Sequence, residues 1–140
     1  MKKIKSYNYK INKNDFVNAG KVSSEIKKNL KKIGFTNRII RKIAVISYEG
    51  EMNIIIHSEG GDIDLEIYEE KIVLKINDIG PGIDDVNLAM TEGYSTAPSE
   101  IRELGFGAGM GLPNINNCSD NFNITSSENG TKIESTIYLE

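Results

Sequence analysis

The chain is poor in residues that staple, ligate or anchor. One of its 140 residues is cysteine and one is histidine, so an internal disulfide is excluded and a zinc centre has too few soft ligands. Cys118 reads as a small core residue rather than a nucleophile. Tryptophan is absent, and no aromatic residues interleave with the lysines of the first third to stack bases, so nucleic acid is not an expected partner. No apolar run approaches the roughly 20 residues of a membrane span, and the longest, such as Ile54-Ile55-Ile56, fall far short, so no membrane partner is expected. Met1-Lys2-Lys3-Ile4 is followed by neither an apolar h-region nor a small-residue cleavage site. A cytoplasmic location is the expectation.

What is present suits one globular unit. A hydrophobic fraction of 39% with 26% charged residues over 140 positions allows a single core, and residues 1–140 are read as one domain. The net charge of −3 conceals a segregation: thirteen Lys and Arg against Asp15 and Glu25 in residues 1–42, then four basic and eighteen acidic residues. Such an arm can dock an acidic partner, but Lys21, Lys27, Lys28, Lys31 and Lys32 also fit the solvated side of a helix.

Residues 3–11 alternate loosely and suit an edge strand. Phe16, Ala19, Ser23, Ile26, Leu30 and Ile33 then recur at helical spacing, with Asn14 or Asp15 as N-cap and Gly34 at the end. Thr36 caps a second helix that runs to about Ser58 and stops at Gly60-Gly61; its apolar middle predicts burial between neighbours. Ile63, Leu65 and Ile67, followed by Ile72, Leu74 and Ile76, predict an antiparallel hairpin ending at Asp78. A Gly-, Pro-, Ser- and Thr-rich stretch extends from Ile79 to Gly111, long enough to be a binding loop or lid. A short helix from about Met110 to Ser119 and two strands about the Asn129-Gly130 turn close the chain. The order predicts an α+β fold: a two-layer sandwich with a mixed, mostly antiparallel sheet and helices on one face.

Three groups of residues carry chemistry. Glu49 and Asn53 are four apart on the buried helix and share a face; burying them unpartnered costs several kcal/mol, on the order of the penalty for any unpaired polar group. They either face a polar cavity, with Asn53 offering an oxygen to Mg²⁺ and Glu49 deprotonating a hydroxyl, or point to solvent. Glu51 is expected to face elsewhere, toward solvent. Gly50 signals close approach to the helix, by a ligand or by packing. His57 is read as a hydrogen-bonded core residue without a catalytic role. Asp78-Ile79-Gly80-Pro81-Gly82 sets a carboxylate at a strand end beside a sharply turning backbone, which suits either an exocyclic amine or a tight turn. Gly105-Phe106-Gly107-Ala108-Gly109-Met110-Gly111 exposes successive amides ahead of a helix, as a phosphate cradle does. It lacks the Gly-Lys-Ser/Thr of a P-loop, and no strand precedes it directly as in a Rossmann fingerprint.

In their order and spacing, Glu49-x-x-x-Asn53, Asp78-x-Gly80-x-Gly82, the Gly105 to Gly111 run and Gly130-Thr131 resemble the boxes of the GHKL, or Bergerat-fold, ATPases over about residues 36–140. The small size, the basic first helix and the string Glu92-Gly93-Tyr94-Ser95-Thr96 look like the anti-sigma-factor serine kinases of the RsbW, RsbT and SpoIIAB type, RsbT most closely. The resemblance implies ATP and Mg²⁺ as cofactors. It implies that Asn53 holds Mg²⁺, that Glu49 is the general base and that Asp78 binds adenine. Gly80 and Gly82 would shape the adenine pocket, Thr131 would assist there, and Ser95, Thr96, Gly105, Gly107, Ala108, Gly109, Met110 and Gly111 would contact the nucleotide.

The expected activity is phosphorylation of a small antagonist protein by a serine/threonine protein kinase that is also an anti-sigma regulatory factor. The expected partners are an anti-anti-sigma-like antagonist, a sigma factor, or both, and a homodimer through the first strand and helix is a further expectation from the resemblance. Two alternatives stay open: a non-catalytic switch in which ATP orders the segment from Ile83 to Ala108 to grip a regulator, and a simple ATPase.

Overall fold

The computed structural model describes residues 3–83, 86–91 and 111–139. Strand β1 spans Lys3–Ile11, followed by a 3-10 turn at Phe16–Asn18, helix α1 at Lys21–Ile33 and helix α2 at Asn37–His57. Strands β2 (Gly61–Tyr68) and β3 (Lys71–Asp78) form a hairpin; a short helix α3 covers Val86–Ala89, α4 covers Gly111–Cys118, and β4 (Asn121–Ser127) and β5 (Gly130–Tyr138) end the chain. The five strands lie in the order β1-β2-β3-β5-β4, every neighbouring pair antiparallel. The fold is α+β as expected, with the sheet wholly antiparallel among the described residues rather than mixed. Two hairpins and two long connections, residues 12–60 and 79–120, suffice to build it, so no parallel crossover is needed.

Side-chain alternation decides which face of the sheet is covered. Ile63, Leu65 and Ile67 on β2, Ile72, Leu74 and Ile76 on β3, and Ile133 and Ile137 on β5 are all buried. They pack with Ile43, Ile46, Ile54 and Ile55 of α2 in one core. The opposite face is polar: Asn8 donates to Asp62 and Asp64 across the β1–β2 pair, and Lys3 and Lys75 pair with Glu66. Gly50 lets α2 lie down on the sheet, since a Cβ there would come within 2.5 Å of Ile76 Cδ1. Its purpose is packing, not ligand approach.

The helix ends follow local chemistry. Thr36 accepts the Ile39 amide as the N-cap of α2, and Gly34 closes α1 with φ of 104°. The start of α1 departs from the sequence reading. Neither Asn14 nor Asp15 caps it; the N-cap is Gly20, and Phe16 and Ala19 precede the helix. The missing cap is supplied from α2. Glu51, expected at the surface, is 2% exposed, and its carboxylate accepts the amides of Gly20, Val22 and Ser23 at 3.1, 3.3 and 3.1 Å. A buried carboxylate that satisfies three orphan N–H groups of a helix N-terminus does the work of a cap at long range. His57, expected in the core, lies exposed on the last residue of α2. Cys118 is half-buried against the core and free, as expected.

Candidate functional site

The fold anchors the carboxyl end of β3 beneath the second half of α2 at two points. Gly50 rests on Ile76, and past the helix end the Glu59 amide donates to the Ile79 carbonyl at 2.7 Å while the Ile79 amide donates to the Gly60 carbonyl at 2.9 Å. Asp78 lies between Ile76 and Ile79, and by alternation it faces the helix layer as Ile72, Leu74 and Ile76 do. Asn53 lies on α2 between Gly50 and Glu59. A cleft is therefore framed by the sheet end and the helix above it.

At the floor of this cleft Asp78 is fixed by β5. The Thr131 amide donates to Asp78 Oδ1 at 2.8 Å. Gly130, with φ of 141°, allows this approach, because a Cβ there would overlap the Asp78 carbonyl. Burial pushes the Asp78 carboxyl above the usual range, and the Thr131 amide pulls it part of the way back. One carboxylate oxygen is engaged with the main chain, and among the described residues the other takes no hydrogen bond. Gly80 turns against Ser58 and Glu59. Gly82 adopts φ of 78° and passes so close to β4 that a Cβ would overlap the Ser127 carbonyl.

On the helix side Glu49 and Asn53 meet the first residue of α4. A Cβ on Gly111 would lie 3.0 Å from Asn53 Oδ1 and 3.3 Å from Glu49 Oε2, so a side chain there would push both polar groups aside by a few tenths of an ångström. Asn114, one turn further along α4, donates through Nδ2 to Glu49 Oε1 at 3.5 Å. Burial raises the Glu49 carboxyl pKa and the Asn114 hydrogen bond lowers it in part. A half-buried carboxylate with a raised pKa beside an amide oxygen is suited to taking a proton and holding a hard cation.

Of the residues singled out in the sequence, Glu49, Asn53 and Gly111 thus share one wall, and Asp78, Gly80, Gly82 and Thr131 share another. Ser95, Thr96, Gly105, Gly107, Ala108, Gly109 and Met110 lie outside the described residues. Two participants were missed. Asn114 sits in Asn-rich α4 with no motif around it, although its position one helical turn after Gly111 put it on the same face. Ser126 accepts the Ile83 amide at 2.7 Å and lies 2.9 Å from Thr131 Oγ1; it stands in a polar strand where alternation with Phe122 and Ile124 was its only signal. A separate groove of about 400 Å³ lies between β1 and α1, with Asp15, Glu25 and Glu51 in its lining. It contains none of the site residues, and its most buried carboxylate is already spent on the α1 amides.

Comparison with known proteins bears on this geometry. The histidine kinase-, DNA gyrase B- and HSP90-like ATPase family matches residues 40–140. This chain belongs to that ATPase family. The match starts within the first turn of α2 and runs through β5, so every site residue named above falls inside it. Among individual relatives of this ATPase-family chain, the anti-sigma F factor of Clostridium novyi is 36% identical over 92 residues, 61% of either chain. The serine/threonine-protein kinase RsbT of Bacillus subtilis is 32% identical over 114 residues, 78% of this chain and 80% of RsbT. The chain therefore spans about three fifths of the first relative and four fifths of the second. Both names come from the regulatory branch anticipated from the sequence. Among the described residues no helix is long and apolar enough to cross a membrane.

Proposed function

We propose that this single ATP-binding domain is a cytoplasmic serine/threonine protein kinase that transfers the γ-phosphoryl of Mg-ATP to a hydroxyl of a small regulatory protein. In this reading it serves as an anti-sigma regulatory factor, as the name of the Clostridium novyi relative says of that protein, and as a kinase, as the name of RsbT says of that one. The observation that carries the proposal is the convergence of Glu49 and Asn53 on Gly111, set across the cleft from an Asp78 held by Thr131.

The residues fit the cofactor. The space that a Cβ at Gly111 would fill lies against Asn53 Oδ1, an oxygen ligand of the kind Mg²⁺ accepts when phosphates and waters complete its shell. When bound, Mg-ATP supplies the phosphoryl group and its charge neutralisation. Asn53 would hold the metal ion, and the free oxygen of Asp78 would accept from the adenine amine. Glu49, kept from early ionisation by burial and oriented by Asn114, would take the proton of the acceptor hydroxyl. Catalysis is then positioning with a local base, which is most of what phosphoryl transfer asks of a protein.

The test is labelling of native cell extract with γ-labelled ATP by the purified protein, followed by mass spectrometry for phosphoserine and phosphothreonine. Wild-type protein should label a small protein, and Glu49→Ala should not, while binding ATP as before. Equal labelling by both would remove Glu49 from the role of base. ATP-dependent capture of a partner that never becomes phosphorylated would turn the reading into a nucleotide switch.

A further inference from the structure

Three side chains at the end of the sheet, those of Ser126, Thr131 and Asp78, form a relay that begins at the Ile83 amide. The Ile83 amide donates to Ser126 Oγ at 2.7 Å, Ser126 Oγ lies 2.9 Å from Thr131 Oγ1, and the Thr131 amide donates to Asp78 Oδ1 at 2.8 Å. Strand alternation puts all three side chains on the helix-facing side: Ser126 with Phe122 and Ile124, Thr131 with Ile133, Asp78 with Ile76. Thr131 is 5% exposed, so the hydrogen of its hydroxyl must be directed rather than left to water.

Donor and acceptor roles follow from the inventory of a hydroxyl, one donor and two acceptor positions. Ser126 Oγ already accepts from the Ile83 amide, an interaction in which it cannot donate. Among the described residues, Thr131 Oγ1 is the acceptor within reach of its own hydrogen. With that oxygen accepting, the Thr131 hydrogen is released from the pair and is available to a ligand beside the open oxygen of Asp78. The cleft then presents an acceptor and a donor side by side. Adenine offers the complement, a 6-amino donor next to the ring acceptor N1. Hypoxanthine offers the reverse, a 6-oxo acceptor next to an N1 hydrogen.

We propose that Ser126 is a specificity-determining residue: by donating to Thr131 it fixes the Thr131 hydroxyl as a donor and so selects adenine over 6-oxopurine nucleotides. This deepens the ATP-binding reading and rests on it. Ser126 is a positioning residue, acting on the base through Thr131 and, through the Ile83 amide, on the chain that leaves Gly82.

Binding of ATP and of inosine 5′-triphosphate to the full chain, with Mg²⁺ present, tests the idea. Wild-type protein should prefer ATP by about tenfold or more, the worth of a hydrogen bond matched against one mismatched. In Ser126→Ala the Thr131 hydroxyl can turn to accept, and the preference should shrink by about threefold or more, to the part that Asp78 still supplies by facing the 6-oxo group. Ser126→Cys, similar in volume but a weak hydrogen-bonding group, should behave like Ser126→Ala and serves if the alanine variant folds poorly. Ser126→Thr keeps the hydroxyl and should restore the wild-type ratio. A purely structural role would weaken both nucleotides alike and leave the ratio unchanged, and that result overturns the proposal. So does a wild-type protein that binds both nucleotides equally, which leaves the ATP site itself intact. Failure of the wild type to bind ATP at all would sink the underlying reading as well, and is distinguishable from either.

Discussion

Gly111 stands so close to Asn53 that a Cβ would lie 3.0 Å from the amide oxygen Oδ1, with Glu49 Oε2 only slightly farther at 3.3 Å. Those contacts are tighter than side chains normally make, and the groups that must yield are the two polar ends on the helix side of the cleft. Gly111→Ala should therefore cost function more than stability. At the first residue of α4 alanine gains less than the roughly 1 kcal/mol it is worth in a helix interior, but the overpacking falls on two side-chain ends that can shift, so the melting temperature should move little. Displacement of Asn53 should weaken Mg²⁺-dependent ATP binding by about tenfold, the value of one charge-assisted contact. Titration calorimetry with and without Mg²⁺ decides it: unaltered Mg-ATP affinity would mean that Asn53 does not hold the metal.

In the proposed phosphotransfer, Glu49 and Asn114 set the acid limb. Burial raises the Glu49 pKa and the Asn114 hydrogen bond lowers it. A base with a raised pKa loses its activity as pH falls through that value, at higher pH than for an ordinary glutamate. Asn114→Ala removes the group that favours the carboxylate, so the pKa should rise further and the acid limb of the phosphotransfer rate should move to higher pH. Glu49→Gln should abolish the limb and lower the rate by about a hundredfold or more. Rates measured across the acidic range in all three proteins check both statements; an acid limb that stays in place in Asn114→Ala removes Asn114 from the site.

How far these relationships were legible in the sequence depends on their range. Period and punctuation located α2, the β2–β3 hairpin and the closing strands, because burial on one face is written into spacing. Thr36 and Gly34 were readable as caps because capping there is local. Gly20 and Glu51 were not. A cap 28 to 31 residues away in sequence leaves no trace at the helix start, and the nearby Asn14 and Asp15 offered a local answer that was wrong. Residue spacing placed Glu51 off the Glu49 face correctly, but could not tell that α1 occupies the other side. In the site, the glycines announced themselves and their reasons did not: Gly50 faces Ile76, whereas Gly111 faces the polar pair. Asn114 acts through a partner 65 residues distant, and Ser126 ties Ile83, 43 residues away, to its hairpin neighbour Thr131; only that last bond lay within reach of a local pattern.

Asp78→Asn separates the two oxygens of the carboxylate. Asparagine can keep its carbonyl oxygen on the Thr131 amide, now at 2.8 Å from Oδ1, so the fold should survive. Replacing a buried carboxylate whose pKa burial has raised with a neutral amide should leave stability at neutral pH equal or higher. The second position becomes an NH₂ donor aimed at the adenine amine, two donors facing each other. ATP affinity should fall by about a hundredfold or more, the combined loss of a charged acceptor and an unsatisfied donor. Thermal melts alongside nucleotide binding check the pair of outcomes; retained ATP affinity in a well-folded Asp78→Asn would end the assignment of adenine to this residue.

Glu51 gives the clearest stability prediction. Its carboxylate ties the first turn of α1 to α2 through three amides and is itself almost fully buried. Glu51→Ala leaves those donors without partners and should destabilise the protein by about 2 to 3 kcal/mol. The pH dependence has a definite sign. Desolvation by burial is the largest influence and raises the folded-state pKa, with the three amides opposing it. Between the unfolded carboxylate value and the raised folded one, the native state binds more protons than the unfolded state, so this group makes stability fall as pH rises through that window. In Glu51→Ala the contribution disappears, and urea unfolding across mildly acidic pH should show stability declining less steeply with rising pH than in wild type. The penalty for the substitution should consequently be largest at the acidic end of the window and smaller near neutrality. A penalty that instead grew with pH would mean that the amides outweigh burial and hold Glu51 ionised, reversing the order of the two effects.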